Sequence, residues 1–148
     1  MRRVDTVITK RDILLEKRNR LRFPGWWITL GILLVCIVIY MSLAPLSFSG
    51  IIYFPQSDKV AHFAAYTVMM FWFSQIYPKR PASLLIASGI IMLGILLEFI
   101  QGASGYRTFE YLDMAANTLG VISGYCLAQT RLGCLFYAIE RCLCCTRG

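Results

Sequence analysis

Residues 98–117, EFIQGASGYRTFEYLDMAAN, put Glu98, Gln101, Arg107, Glu110, Asp113 and Asn117 between two hydrophobic segments. The chain of 148 residues is 57% hydrophobic and only 16% charged, whereas about a quarter of an ordinary soluble domain is charged. A membrane is therefore the default environment, and polar groups are not scattered freely through it. The polar residues of this stretch are expected to meet Asp58, Lys59 and His62 of an earlier segment in one cluster at one membrane face.

The hydrophobic segments on either side define the rest of the chain. Residues 23–57 contain no charged side chain. Trp26 and Trp27 mark one interface, and the helix from there to about Ala44 is long enough to cross, since about 20 residues span the hydrocarbon core. Basic residues precede this run and Ser42-Leu43-Ala44 resembles a small-residue cleavage site. The run is nevertheless too long for a signal peptide and Pro45 would follow the cut, so an uncleaved first helix is expected.

Pro45 ends that helix, and residues 45–57 read as an apolar connector in the interface. Further crossings are expected at about 58–77, 82–101 and 113–129. The tail, 131–148, is too short and too polar at its ends to cross, and is expected to be an interfacial helix. Residues 1–23 carry Thr9 and Asp12 in a capping-box pattern ahead of Ile13, Leu14 and Leu15, which opens a short basic surface helix. The expected class is thus all-α: a polytopic membrane protein with a basic segment (1–23), a four-helix membrane domain (24–130) and a cysteine-containing tail (131–148). The six cysteines give no disulfide framework, and those of the tail read as apolar fillers at an interface.

Charge orients the helices. Of the 15 basic residues, 13 lie in the N-terminal region, at Lys79 and Arg80, or in the tail. An even number of crossings puts all three regions on one side, which the positive-inside rule makes the cytoplasm, with both termini there. Lys59 and Arg107 are then outside. The basic excess reads as a topology signal and an attraction to anionic lipid, and nothing resembles a nucleic-acid module.

Helical rise converts this topology into depth. His62 lies about one turn inside the outer boundary, Glu98 roughly 4–5 Å below it, and Asn117 again about one turn deep. Asp58, Gln101 and Asp113 form an outer layer, with Arg107 able to close over it. Asp58, His62 and Tyr66 share one helix stripe; Gly94, Glu98 and Gln101 share a second; Asp113, Asn117, Gly120 and Gly124 share a third. The Gly120/Gly124 spacing permits close helix approach below Asn117.

Two readings of these groups stand side by side. In one they only hydrogen-bond across helices and hold the bundle, as a structural or partner-binding membrane protein. In the other they line a pocket in which Lys59 and Arg107 hold a phosphate or carboxylate and His62 with Glu98 acts as an acid/base pair. The candidate reacting groups are then His62, Glu98 and Asp113, with Asp58, Lys59, Tyr66, Gln101, Arg107 and Asn117 as ligand contacts. A metal set of His62, Glu98 and Asp113 has one histidine and no close ligand spacing, so no metal or cofactor is assigned. A channel lacks polar residues through the cytoplasmic half, and no nucleotide, hydrolase or dinucleotide motif is present.

Three motifs also carry a resemblance. DKVAHFAAY (58–66), GILLEFIQ (94–101), and Arg107 with FEYLDMAANTLGVISG (109–124) resemble, in this order and spacing, the VanZ-like family of small polytopic membrane proteins. The resemblance covers residues 45–124 and leaves out the basic segment and the cysteine tail. It implies a place in the bacterial inner membrane and an envelope role. The expected partner is an anionic lipid-linked envelope component, with an effect on susceptibility to glycopeptide antibiotics of the teicoplanin type.

Overall fold

The computed structural model describes residues 21–44, 57–104 and 109–145. The basic segment with its capping box, the connector at 45–56 and Arg107 lie outside the described residues. Within them the chain is helical: α1 (Pro24–Leu43), α2 (Ser57–Ile76), α3 (Arg80–Ala103), α4 (Tyr111–Ala128), a 3-10 turn (Arg131–Cys134) and α5 (Leu135–Cys145).

Helix boundaries follow local chemistry. Pro24 and Pro81 sit in the first turns of α1 and α3, where the missing N–H costs nothing. α2 and α3 are joined by Tyr77, Pro78 and Lys79 alone, which forces them antiparallel. Side-chain contacts set the remaining directions. Gln101 near the end of α3 bonds Ser42 near the end of α1, and Lys59 at the start of α2 pairs with Glu110 just before α4. The four long helices alternate in direction, so one end of the bundle gathers the C-termini of α1 and α3 and the N-termini of α2 and α4.

Two of these helices, α1 and α3, each with mean hydropathy 2.3, are long and apolar enough to cross a membrane. α2 and α4 are not apolar enough by the same measure, because they carry the polar cluster. Beside an apolar core, the bundle exposes many large apolar side chains and buries several polar ones. Leu85, Met92, Phe99, Leu112, Leu119, Ile32 and Leu33 face outward, while Ser74, Gln75, Ser83, Glu98, Gln101, Asp113, Asn117 and Glu140 are buried.

α2 and α4 form the most extensive helix pair. The reason is Gly120 and Gly124: a Cβ on Gly120 would stand 2.5 Å from the Phe63 carbonyl oxygen, and one on Gly124 would collide with that of Thr67. Backbones touch where side chains are missing, as the small-xxx-small spacing anticipates. α3 then closes over α2 with Tyr66 seated on Gly94, and the core of Val38, Tyr66, Met69, Met70, Ile90 and Val121 fills the centre.

The opposite end is closed by the tail. α5 has 11 residues, about 16 Å of helix, which is too short to cross. It docks instead by Phe136, which stacks on Trp27 at 3.9 Å between ring centroids and meets Trp72 edge-on at 4.6 Å. Phe136 N donates to Gln75 Oε1 at 3.1 Å. Glu140, buried, accepts from Arg22 N (2.6 Å), Phe23 N (3.0 Å) and Trp27 Nε1 (2.9 Å). A carboxylate at the N-terminus of α1 thereby satisfies donors that no side-chain cap serves.

Two stability predictions follow from this packing. Gly120→Ala is expected to cost on the order of 1–3 kcal/mol by forcing α2 from α4, whereas Gly89→Ala, with nothing within 4 Å of the added Cβ, is neutral or slightly stabilising in the same melting experiment in detergent. Glu140→Ala orphans three donors and is expected to lower stability by about 1–3 kcal/mol or more; limited proteolysis would then release the tail first.

Candidate functional site

The α2–α4 contact carries upward into the polar end of the bundle. One turn above Gly120 lies Asn117 and one turn above Tyr66 lies His62, and the two meet: His62 Nδ1 is 3.1 Å from Asn117 Oδ1. The depth derived from helical rise therefore matches a direct contact. An amide oxygen only accepts, so the ring donates from Nδ1, and in the neutral imidazole Nε2 is left as a lone pair. Nε2 looks outward along α2 to Asp58, whose Oδ1 is 3.9 Å away.

Lys59 neutralises the acidic side of the cluster. Its Nζ is 2.6 Å from Glu110 Oε2 and 3.6 Å from Asp113 Oδ1. Lys59 is thus held by carboxylates of this chain, where the sequence reading gave it to a ligand's phosphate or carboxylate. Asp113 is buried at the start of α4, and its Oδ1 has no hydrogen-bond partner among the described residues, since 3.6 Å is beyond hydrogen-bond reach.

Glu98 and Gln101 form a second half of the site on α3. Glu98, 1% exposed, accepts from Glu110 N through Oε1 at 3.0 Å, and its Oε2 has no partner among the described residues. Gln101 Nε2 donates to Ser42 O at 2.7 Å and ties α3 to α1. No hydrogen bond or ion pair joins Glu98 to His62, the two groups expected to act as an acid/base pair: Glu98 bonds Glu110 N and His62 bonds Asn117. Glu110, whose side chain holds Lys59 and whose N–H holds Glu98, connects the two halves. Tyr66 lies below both halves in the core rather than at the mouth.

The described part of the site is acidic: Asp58, Glu98, Glu110 and Asp113 against Lys59, with His62 between them. Asp58, His62 and Asp113 each offer a donor atom within 4.8 Å of the others. A bare anion would meet net negative charge here. Hydrogen-bond donors and cations are attracted by the same charge.

Sequence reasoning missed Glu110 as the residue linking the halves and Glu140 at the far end. Lys59 and Glu110 flank the starts of α2 and α4, and once those helices are taken as neighbours the pair is readable. Nothing local marks Glu140, whose partners are more than 110 residues away in sequence.

No family model matches the chain, and no solved structure matches it. An uncharacterised protein of the fission yeast Schizosaccharomyces pombe is 33% identical over 92 residues, which is 60% of this chain. The chain spans 57% of that relative's length. The VanZ-like resemblance rests on the three motifs alone.

The His62–Asn117 contact is testable by a double-mutant cycle with His62→Ala and Asn117→Ala in unfolding. The expected coupling is roughly 0.5–1.5 kcal/mol, typical of interhelical polar pairs. Zero coupling would mean that the two side chains do not meet.

Proposed function

We propose that this chain is a multi-pass membrane protein with four crossing helices and both ends in the cytoplasm, whose polar site opens to the opposite face. There it binds or acts on the headgroup of a phosphate-bearing lipid. The observation that carries this reading is the pair of buried carboxylate oxygens, Glu98 Oε2 and Asp113 Oδ1, with no hydrogen-bond partner among the described residues. A cluster kept only to hold helices together is stable when each member is satisfied, and a half-satisfied network is worse than an apolar one. Acceptors held ready in a buried site fit a ligand that brings donors.

The ligand chemistry follows from the charges. Lys59 supplies a cation for phosphate once Glu110, 44% exposed, moves aside. Glu98 and Asp113 accept from hydroxyl or ammonium groups beside that phosphate. Lipid-linked envelope precursors have such headgroups, and so do glycerophospholipids. A relative in a fission yeast favours a headgroup shared across kinds of cell over a strictly bacterial precursor. On this reading, altered susceptibility to teicoplanin-type antibiotics is a downstream effect of headgroup binding. The outward-facing apolar side chains of all four helices support the membrane placement.

A second reading keeps the cluster as scaffold, favoured by the His62–Asn117, Glu98–Glu110 and Gln101–Ser42 bonds. Native mass spectrometry of the protein extracted in mild detergent separates the two. A bound phosphate-bearing lipid is expected in the wild type and lost in Lys59→Ala and Glu98→Gln at unchanged membrane abundance; variants that vanish from the membrane in step with lost binding would establish the scaffold. A reporter fused after Tyr106 is expected on the non-cytoplasmic side, and a cytoplasmic signal would overturn the topology.

A further inference from the structure

Asp58 and His62 are one helical turn apart on α2, and Asp113 faces them from the first turn of α4. The sequence argued against a metal because His62, Glu98 and Asp113 lack close spacing. Folding changes the donor set: Glu98 stands apart and Asp58 takes its place, with one donor atom from each of Asp58, His62 and Asp113 within 4.8 Å of the others.

We propose that Asp58, His62 and Asp113 form a site for one divalent transition-metal ion, Zn2+ by its donor set, between the N-termini of α2 and α4. Two further observations point to a ligand here. Asp113 Oδ1 is buried and accepts no hydrogen bond among the described residues, in a side chain only 6% exposed. His62 is oriented by Asn117 through Nδ1, which leaves Nε2 as the coordinating lone pair on the side of Asp58. A metal-bound imidazole almost always gives its other N–H to an oxygen acceptor in this manner, which fixes the tautomer.

The chemistry of the donors selects the ion. Imidazole nitrogen with two carboxylates suits Zn2+, while Mg2+ and Ca2+ prefer all-oxygen shells. Donors at about 2.0–2.2 Å from a tetrahedral ion are roughly 3.5 Å apart, so the triangle must contract by about an ångström. Asp58, at 46%, is the most exposed of the three side chains. Three protein ligands leave the fourth position open, the arrangement of zinc sites that bind a ligand oxygen. With the ion bound and no lipid present, Lys59 stays with Glu110, its shorter contact. This inference joins the proposed headgroup reading without depending on it, because a bound dication would also turn the acidic cluster into a phosphate acceptor.

The test uses the full chain in lipid-free zwitterionic detergent, stripped with EDTA and dialysed against ZnCl2. The Cys134, Cys142, Cys144 and Cys145→Ser variant serves as the reference, so that tail thiols hold no metal. One Zn2+ per chain is expected in that reference, with affinity at least tenfold weaker after Asp113→Asn or His62→Ala and with unchanged melting of the metal-free Asp113→Asn variant. Loss of Zn2+ with the cysteines, or equal affinity in Asp113→Asn, overturns the site. Should a variant fail to fold, Co2+ added to the reference protein is expected to give visible d–d bands without thiolate charge transfer; no d–d band overturns it. Zn2+ binding without lipid retention would leave the metal site standing and remove the headgroup reading, and the reverse result would do the opposite.

Discussion

The close approach of α2 and α4 at Gly120 and Gly124 governs the rest of the molecule. With a carbonyl oxygen of α2 lying where a Cβ of α4 would be, the register of the two helices has no slack. That register sets His62 opposite Asn117 one turn higher, and Lys59 beside Asp113 and Glu110 one turn higher again. α3 adds Glu98 from the side, and α1 is tied in through Ser42 and Gln101. A pair of missing side chains thus fixes a polar layer two turns away.

The two ends of the bundle treat buried carboxylates differently. Glu140 accepts three hydrogen bonds and its chemistry is finished: it caps α1 and anchors the tail. Glu98 and Asp113, equally buried, each keep an oxygen that no described donor reaches. One carboxylate is built into the fold, while the other two are held by it and left available. That contrast within one chain is the physical ground for reading the α2–α4 end as a site.

Hydrophobic run length and proline placement made the helices legible, and their ends fell within a few residues of the hydropathy segments. Period and rise made the layer legible as well, because His62 and Asn117 come level by counting turns. What the sequence concealed was lateral order. Counting turns gives height but not which helices adjoin, so the bond from Glu110 N–H to Glu98 and the pairing of Lys59 with Glu110 were not foreseen. Glu140 was invisible for the same reason, since its partners are at the far end of the chain. Four crossings were read from apolar segments; among the described residues, α1 and α3 alone have the length and hydropathy of a span.

The central claim is that the polar layer exists for a ligand and not for the bundle. The melting temperature of the metal-free, delipidated Glu98→Gln/Asp113→Asn double variant tests it most directly. Removing two partly unsatisfied buried charges while keeping side-chain shape is expected to leave that temperature unchanged or raise it, with loss of whatever the site binds. A fall of many degrees, with the protein unable to hold its fold in detergent, would show that these carboxylates are structural and contradict the account.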